Sequence, residues 1–342
     1  MTAAVNLDAW ARDVPRPVID MLVKGREVLV VSHENPDADT LGAALGIGEI
    51  LGARGARTTL VCTDAPPPLY AFLPGVERFR TDPDEAVAYD LLVIVDCGTL
   101  DRIGAVRDRH PELFASLPTV VIDHHASNGA ARTTDWVEPA AAATCEMVAL
   151  IAGVLGVPLD AGGGALATAL MAGIVMDTAT FAHPNATPRT LAVSSALVEA
   201  GAPLSEISRL LYRSKPDVQL RLFGRVLERL EATADGLVVH STLTLADIAE
   251  TGALSSHSEG IIDLLSQSEA AEVAILFKEA GPAITRISVR TKPGGVDATV
   301  LTGLFGGGGH ARAAGASVAA NAVEAHVVVL READRLARAI RR

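Results

Sequence analysis

The chain has 342 residues, enough for two domains that each bury their own core. Nearly half of the residues are apolar and only 4% are aromatic, a globular composition that excludes long runs of bases stacked on aromatic platforms. Lys and Arg number 29 against 41 carboxylates, and the resulting charge of −12 excludes a broad phosphate-gripping surface while accommodating divalent cations. Cys62, Cys97 and Cys145 are an odd number without metal-ligand spacing and read as reduced core residues of a cytoplasmic protein. Residues 1–13 lack a basic stretch followed by an apolar one, and the most apolar segment, Ala161 to Met176, is Gly-rich and shorter than the roughly 20 residues of a membrane span. A buried helix is predicted there, and no membrane partner.

The apolar run Val28 to Val31 has the length and β-branched content of a buried strand and runs into His33-Glu34-Asn35-Pro36-Asp37-Ala38-Asp39. Pro36 disfavours helix at Asn35, so His33, Asp37 and Asp39 are predicted on an extended turn, where Asp37 and Asp39, two apart, face one object together. Helix follows from Asp39 or Thr40, either of which is a good N-cap. Strands are predicted at Glu27 to Ser32, Thr58 to Cys62, Asp90 to Asp96 and Thr119 to Asp123. Their alternation with helical patterns gives an α/β fold with a parallel sheet covered by helices on both faces. Three of the strands end in chemistry, at His33, at Asp96 and at Asp123-His124-His125, along the carboxyl edge where open α/β sheets bind ligands.

Two Ala-rich helices follow, about Ala140 to Leu155 and Gly162 to Met176, the second ending on Asp177. Helical patterns fill residues 188–232, and the turn Ser214-Lys215-Pro216-Asp217 marks the domain junction. The expected division is a first domain over 1–212, a linker over 213–225 and a smaller α+β domain over 226–342. That second domain has predicted strands at Gly236 to Thr242, Glu272 to Lys278 and Ala283 to Thr291, a small-residue helix after the glycine run Gly306 to Gly309, and a closing helix near Ala322 to Ile340.

Singly, each ionisable residue has an ordinary role: Asp96 a turn residue, His124 and His125 surface imidazoles, Asp177 a helix end. Together, His33, Asp37, Asp39, Asp96, Asp123, His124 and Asp177 follow apolar stretches that bury them at one sheet edge, where unpaired carboxylates repel. A binuclear metal centre removes that conflict, and mixed His and carboxylate donors without thiolate favour Mn²⁺, with Mg²⁺ or Co²⁺ as substitutes. Gly306 to Gly309 lets backbone approach a ligand and present N–H groups to an anion.

His33-Glu-Asn-Pro-Asp37-Ala-Asp39, Val95-Asp96, Asp123-His124-His125 and Asp177-Thr178 resemble the four ordered motifs of the DHH phosphoesterase superfamily. Ser288-Val289-Arg290-Thr291, Phe305-Gly306-Gly307-Gly308-Gly309-His310 and Ala313-Ala314-Gly315 resemble the associated DHHA1 domain, with Thr291 where the family often has Ser. Length and motif spacing are similar to the branch of nanoRNases and 3′-phosphoadenosine-5′-phosphate (pAp) phosphatases.

The resemblance implies that His33 and Asp37 hold one metal, that Asp39, His124 and Asp177 hold a second, and that Asp96 bridges them. It further implies that Asp123 orients a neighbouring imidazole and that His125 serves the scissile phosphate as donor or proton carrier. Arg290, Gly307, Gly308, Gly309, His310 and Arg312 are then the residues that grip a nucleotide, with Asn128 and Arg102 as softer candidates for phosphate contact. The implied activity is hydrolysis of very short single-stranded oligonucleotides and pAp in a cleft that excludes long duplexes; a two-fold homodimer is the base-rate expectation. Pyrophosphatase or polyphosphatase activity, single-stranded DNA exonuclease activity and non-catalytic nucleotide sensing are the rival readings.

Overall fold

The computed structural model describes residues 7–129, 132–233 and 235–340. It divides into two compact units, Met1–Ser214 and Lys215–Arg342. In the first, α1 (Asp8–Ala11) and α2 (Arg16–Lys24) lead into β1 (Glu27–Val31), α3 (Ala38–Ala53) and β2 (Arg57–Val61). Next come β3 (Leu91–Val95), α4 (Ala105–Arg109), α5 (Pro111–Ser116), β4 (Thr119–Asp123) and β5 (Asp135–Val137). The unit closes with α6 (Thr144–Val154), α7 (Ala165–Asp177), α8 (Pro188–Glu199) and α9 (Leu204–Tyr212).

The five strands are all parallel, in the order β2-β1-β3-β4-β5. Alternate residues face opposite cores: Val28, Val30, Val93, Val95 and Ile122 join α3, α6 and α7, while Leu29, Val31, Leu92, Ile94 and Val121 join Ile103 and Val106. Both faces are therefore dry, which is why these strands are unbroken apolar runs rather than alternating ones. The four predicted strands stand within one residue of their expected ends. The fifth, Asp-Trp-Val, escaped because three residues carry no period; Trp136 is nevertheless buried.

Helices α3 and α7 cross closely, and glycines permit it. A Cβ on Gly42 would stand 2.4 Å from the Ala169 carbonyl oxygen, and one on Gly173 would stand 2.5 Å from Asp39 Oδ1.

The second unit runs α10 (Asp217–Glu228), β6 (Glu231–Ala232), β7 (Val238–Leu243), α11 (Leu245–Thr251), α12 (Ile261–Leu265), β8 (Val273–Gly281) and β9 (Ile284–Thr291). It ends with α13 (Ala298–Gly303), β10 (Gly308–His310), β11 (Ala313–Val318) and α14 (Ala322–Ile340). Its sheet has the order β10-β11-β9-β8-β7-β6, with only β7 and β8 parallel. Ala325, Val329, Ala333 and Ala337, one helical turn apart along α14, pack on Val238, Phe277, Ile287 and Val289. Leu222, Phe223 and Val226 of α10 cover part of the other face with Val239, Ala274 and Leu276.

Two expectations change. Most of the anticipated 213–225 linker is helix α10, which packs in the second unit because its apolar stripe finds a sheet to cover. The small-residue helix anticipated after the glycine run is strand β11, since six residues pair in register with β9 and that ladder outweighs the helical preference of alanine.

Candidate metal centre

β1, β3 and β4 are neighbours, so the residues at their carboxyl ends meet at one edge of the sheet. The first group gathers around His33, whose Nε2 lies 3.4 Å from Asp96 Oδ2 and 3.8 Å from Asp37 Oδ1. In the second, His124 Nε2 lies 3.1 Å from Asp177 Oδ2, 3.6 Å from Asp96 Oδ1 and 3.9 Å from Asp39 Oδ2. Asp96 thus offers one oxygen to each group. In each of the sets His33/Asp37/Asp96 and Asp39/His124/Asp177, the donor atoms lie within 4.8 Å of one another.

The backbone aims these side chains. Asp96 has φ +56°, a left-handed residue immediately after β3, while its N–H still donates to the Ile122 carbonyl. The turn throws its carboxylate across the sheet edge, where the Thr144 hydroxyl donates to Oδ1 at 2.9 Å. Asp37 is the N-cap of α3, its Oδ1 accepting from the N–H groups of Asp39 (3.0 Å) and Thr40 (3.1 Å). Asp39 therefore sits in the first helical turn. The expected extended turn, with the two carboxylates side by side, is replaced by a cap and a helical residue serving different groups.

Asp39 is fully buried and accepts from the backbone N–H of Thr144 (2.7 Å) and Cys145 (2.9 Å) at the head of α6, where the helix dipole favours an anion. Sequence reasoning missed Thr144, Cys145 and Gly173, because backbone donors and a packing glycine leave no ionisable signature. It also missed Asn185, whose amide donates to the carbonyls of Asp177 and Ala142 and so fixes the end of α7 beside the entry to α6.

Both histidines could serve as ligands. His33 Nδ1 lies 2.7 Å from the Glu34 carbonyl and His124 Nδ1 lies 3.3 Å from that of Ala141; an N–H there leaves each Nε2 lone pair facing the carboxylates. Burial, aided by the nearby Arg102 guanidinium, holds His33 below its ordinary pKa and so neutral. Burial and the charges of Asp39, Asp37, Asp177 and Asp123 push Asp96 well above the usual carboxylate range. Burial and the Asp39 charge raise Asp177 to about 7. His124, despite burial that opposes it, is lifted to about 9 by the hydrogen bond to Asp177 and the charge of Asp39. Such mutual repulsion is what cations relieve. Among the described residues the thiols do not compete, since Cys97 and Cys145 Sγ donate to the carbonyls of Thr99 and Asp39. The donor set fits hard or borderline divalent cations.

Asp177 and His124 bind protons more tightly folded than unfolded, so their stabilisation is present at acid pH. It is lost as pH rises, from 3.8 to about 7 for Asp177 and from 6.5 to about 9 for His124. The melting temperature in chelator is expected to fall between about pH 6 and 9, and divalent cation to flatten that slope. A chelated protein that gains stability across this window contradicts the cluster.

Asp123 is buried, yet hydrogen bonds from His125 Nδ1 (2.8 Å) and Asn128 Nδ2 (2.7 Å) hold it below the usual carboxylate range against that burial. Asn128 Nδ2 also donates to the Cys97 carbonyl, so both amide hydrogens are spent on the scaffold rather than offered to phosphate. Arg102 lies 3.1 Å from His33 Nδ1.

Arg290, Gly307, Gly308, Gly309, His310 and Arg312 gather around β9, β10 and β11 of the second unit. Arg290 donates to Asp263 at 2.9 Å. Arg312 donates through one nitrogen to Thr291 Oγ1 and to the carbonyls of Val296 and Lys292, a clasp on the loop before α13. Gly307 and Gly309 stand against β11, where Cβ atoms would lie 2.2 Å and 2.6 Å from the carbonyl oxygens of Gly315 and Ala313. Gly308 and His310 are exposed.

The family model of the DHH family N-terminal domain matches residues 27–174, and that of the DHHA1 domain matches 238–335. The bifunctional oligoribonuclease and PAP phosphatase NrnA of Thermus thermophilus is 30% identical over 85% of this chain and 84% of its own length. The protein of the same description from Bacillus subtilis is 26% identical over 85% and 89%. An exopolyphosphatase-related protein from Bacteroides fragilis shares the fold, with a TM-score of 0.84 and 22% identity across 95% of this chain and 98% of that one. No helix among the described residues is long and apolar enough to cross a membrane. With both domain models matched in order and a 30% identical relative spanning most of its length, the chain belongs to the DHH–DHHA1 family of phosphoesterases.

Proposed function

We propose that the protein is a manganese-dependent phosphodiesterase and phosphatase that releases mononucleotides from very short oligonucleotides and linear dinucleotides, and AMP from pAp. The observation that carries this reading is Asp96, with one carboxylate oxygen toward each of two His/Asp groups. His33, Asp37 and Asp96 would hold one cation; Asp96, Asp39, His124 and Asp177 would hold the other. Bound there, the ions supply the charge that lowers the pKa of water and neutralises phosphoryl oxygens.

The chain's own groups supply orientation and proton handling. Asp123 and Asn128 fix the His125 ring through Nδ1, which leaves Nε2 as the nitrogen able to donate to a phosphoryl oxygen or carry a proton. Arg290 and His310 would serve the nucleotide in the second unit. The substrates named for the two NrnA relatives support short oligonucleotides and pAp over pyrophosphate. Three buried free thiols suit a reducing cytoplasm.

The test is Mn²⁺-dependent kinetics across pAp, pyrophosphate and a length series of 5′-labelled oligonucleotides. Mononucleotides from dimers to pentamers and AMP from pAp are expected, with no turnover in chelator. An intact dinucleotide in the presence of Mn²⁺ refutes the proposal, and orthophosphate released from pyrophosphate alone transfers it to the pyrophosphatase reading.

A further inference from the structure

In the second unit, directly paired residues share a face of the sheet. The face that carries Arg290 also carries Ser288 and Arg286 on β9, Lys278 on β8, Ala313, Gly315 and Ser317 on β11, and Gly308 and His310 on β10. Helices α10 and α12 cover this face over β7 and β8, and α12 reaches β9, where its Asp263 meets Arg290. Toward β11 and β10 the side chains are small, so a ligand can lie against the strands.

Lys278 and Arg286 are a directly opposed cross-strand pair of like charge. Lys278 is half-buried and Arg286 exposed, and among the described residues neither has an ion-pair or hydrogen-bond partner. The nearby acids are Glu259, which attracts Lys278 without pairing to it, and Asp263, which is taken by Arg290. In a chain with twelve more acids than bases, two opposed and unpaired cations are conspicuous. Like charges directly opposite destabilise a sheet, and a half-buried ammonium adds desolvation. An anion lying across the pair would remove both penalties.

Arg286 is four residues from Arg290, roughly 13 Å along the strand, too far for one phosphate to meet both. A ligand engaging both positions carries at least two phosphates. We propose that Lys278 and Arg286 form a second phosphate-binding position on this sheet, for the backbone of an oligonucleotide whose other end is held at Arg290 and His310. It rests on the short-oligonucleotide reading and deepens it: the pair favours substrates longer than a dinucleotide.

The experiment measures fluorescence anisotropy of 5′-fluorescein oligoadenylates, dimer to hexamer, on the metal-free full chain over a range of salt. Lys278→Gln with Arg286→Gln is expected to weaken the tetramer and longer oligomers about tenfold and the dimer less. The slope of log affinity on log salt should become shallower by about 0.7 for each phosphate that is no longer neutralised. The melting temperature of the unliganded variant should rise, because a repelling pair has been removed. Lys278→Arg with Arg286→Lys should hold affinity within about twofold. Equal losses at every length, an unchanged salt slope, or a lowered melting temperature would overturn the subsite. Wild-type protein that hydrolyses nothing, with the length-dependent loss still seen in the double variant, would sink the proposed activity and leave the subsite standing.

Discussion

Asp96→Asn is expected to reduce phosphoesterase turnover on the order of a thousandfold while raising the melting temperature of the metal-free protein. Both effects come from one place. Asp96 is buried between the two groups, facing His33 with one oxygen and His124 with the other, and its charge is opposed by Asp39, Asp37, Asp177 and Asp123. The substitution replaces one of the two carboxylate oxygens by an amide nitrogen that cannot serve as a ligand, leaves the other without its charge, and relieves the repulsion. Asn is the informative replacement because it tolerates the left-handed backbone at φ +56° and can still accept from Thr144, whereas Ala would add strain. Calorimetric titration with Mn²⁺ should show weakened binding in both groups. If the variant turns over normally, Asp96 does not link them.

Gly173→Ala is expected to cost about 3 kcal/mol of stability and to abolish binding of cation by Asp39, His124 and Asp177. A single methyl group would sit 2.4 Å from Cys145 Sγ, 2.5 Å from Asp39 Oδ1 and 2.9 Å from Asp39 Cα. None of these can yield cheaply, because Asp39 is clamped by the Thr144 and Cys145 amides and Cys145 is fully buried. Gly52, in the same unit and with open space around its Cβ direction, is the control; Gly52→Ala should leave cation binding as it is and slightly favour helix α3. Denaturant unfolding together with metal titration reads both outcomes. Undisturbed metal affinity in Gly173→Ala would show that Asp39 is not held where the packing holds it.

The fold was largely readable because the first sheet is buried on both sides, so β1, β3 and β4 are continuous apolar runs that each stop at an ionisable residue. The clustering of His33, Asp37, Asp39, Asp96, His124 and Asp177 was readable for the same reason, because each follows an apolar stretch that ends at one sheet edge. What escaped was carried by backbone. Asp37 and Asp39 look like an extended pair in sequence, but Asp37 accepts two helix N–H groups, and capping fixed the conformation that Pro36 left open. Thr144 and Cys145 act through their amides, which no side-chain pattern announces. Strand β11 was misread because Ala-Ala-Gly-Ala-Ser has little intrinsic strand preference and is defined by the ladder it joins. Arg312 and Asn128 have the chemistry of phosphate contacts, and only their geometry reveals that both Asn128 amide hydrogens and one Arg312 nitrogen are engaged by the scaffold.

The cap at the start of α3 ties the two groups into one mechanical object. Asp37 belongs to the His33 group and Asp39 to the His124 group, yet the Asp37 carboxylate accepts the Asp39 amide, so a single helical turn spans both. Fraying that turn would dismantle the two groups together, and a cation held on one side would prepare the turn for the other. The unit of assembly is the helix start rather than the separate ligand.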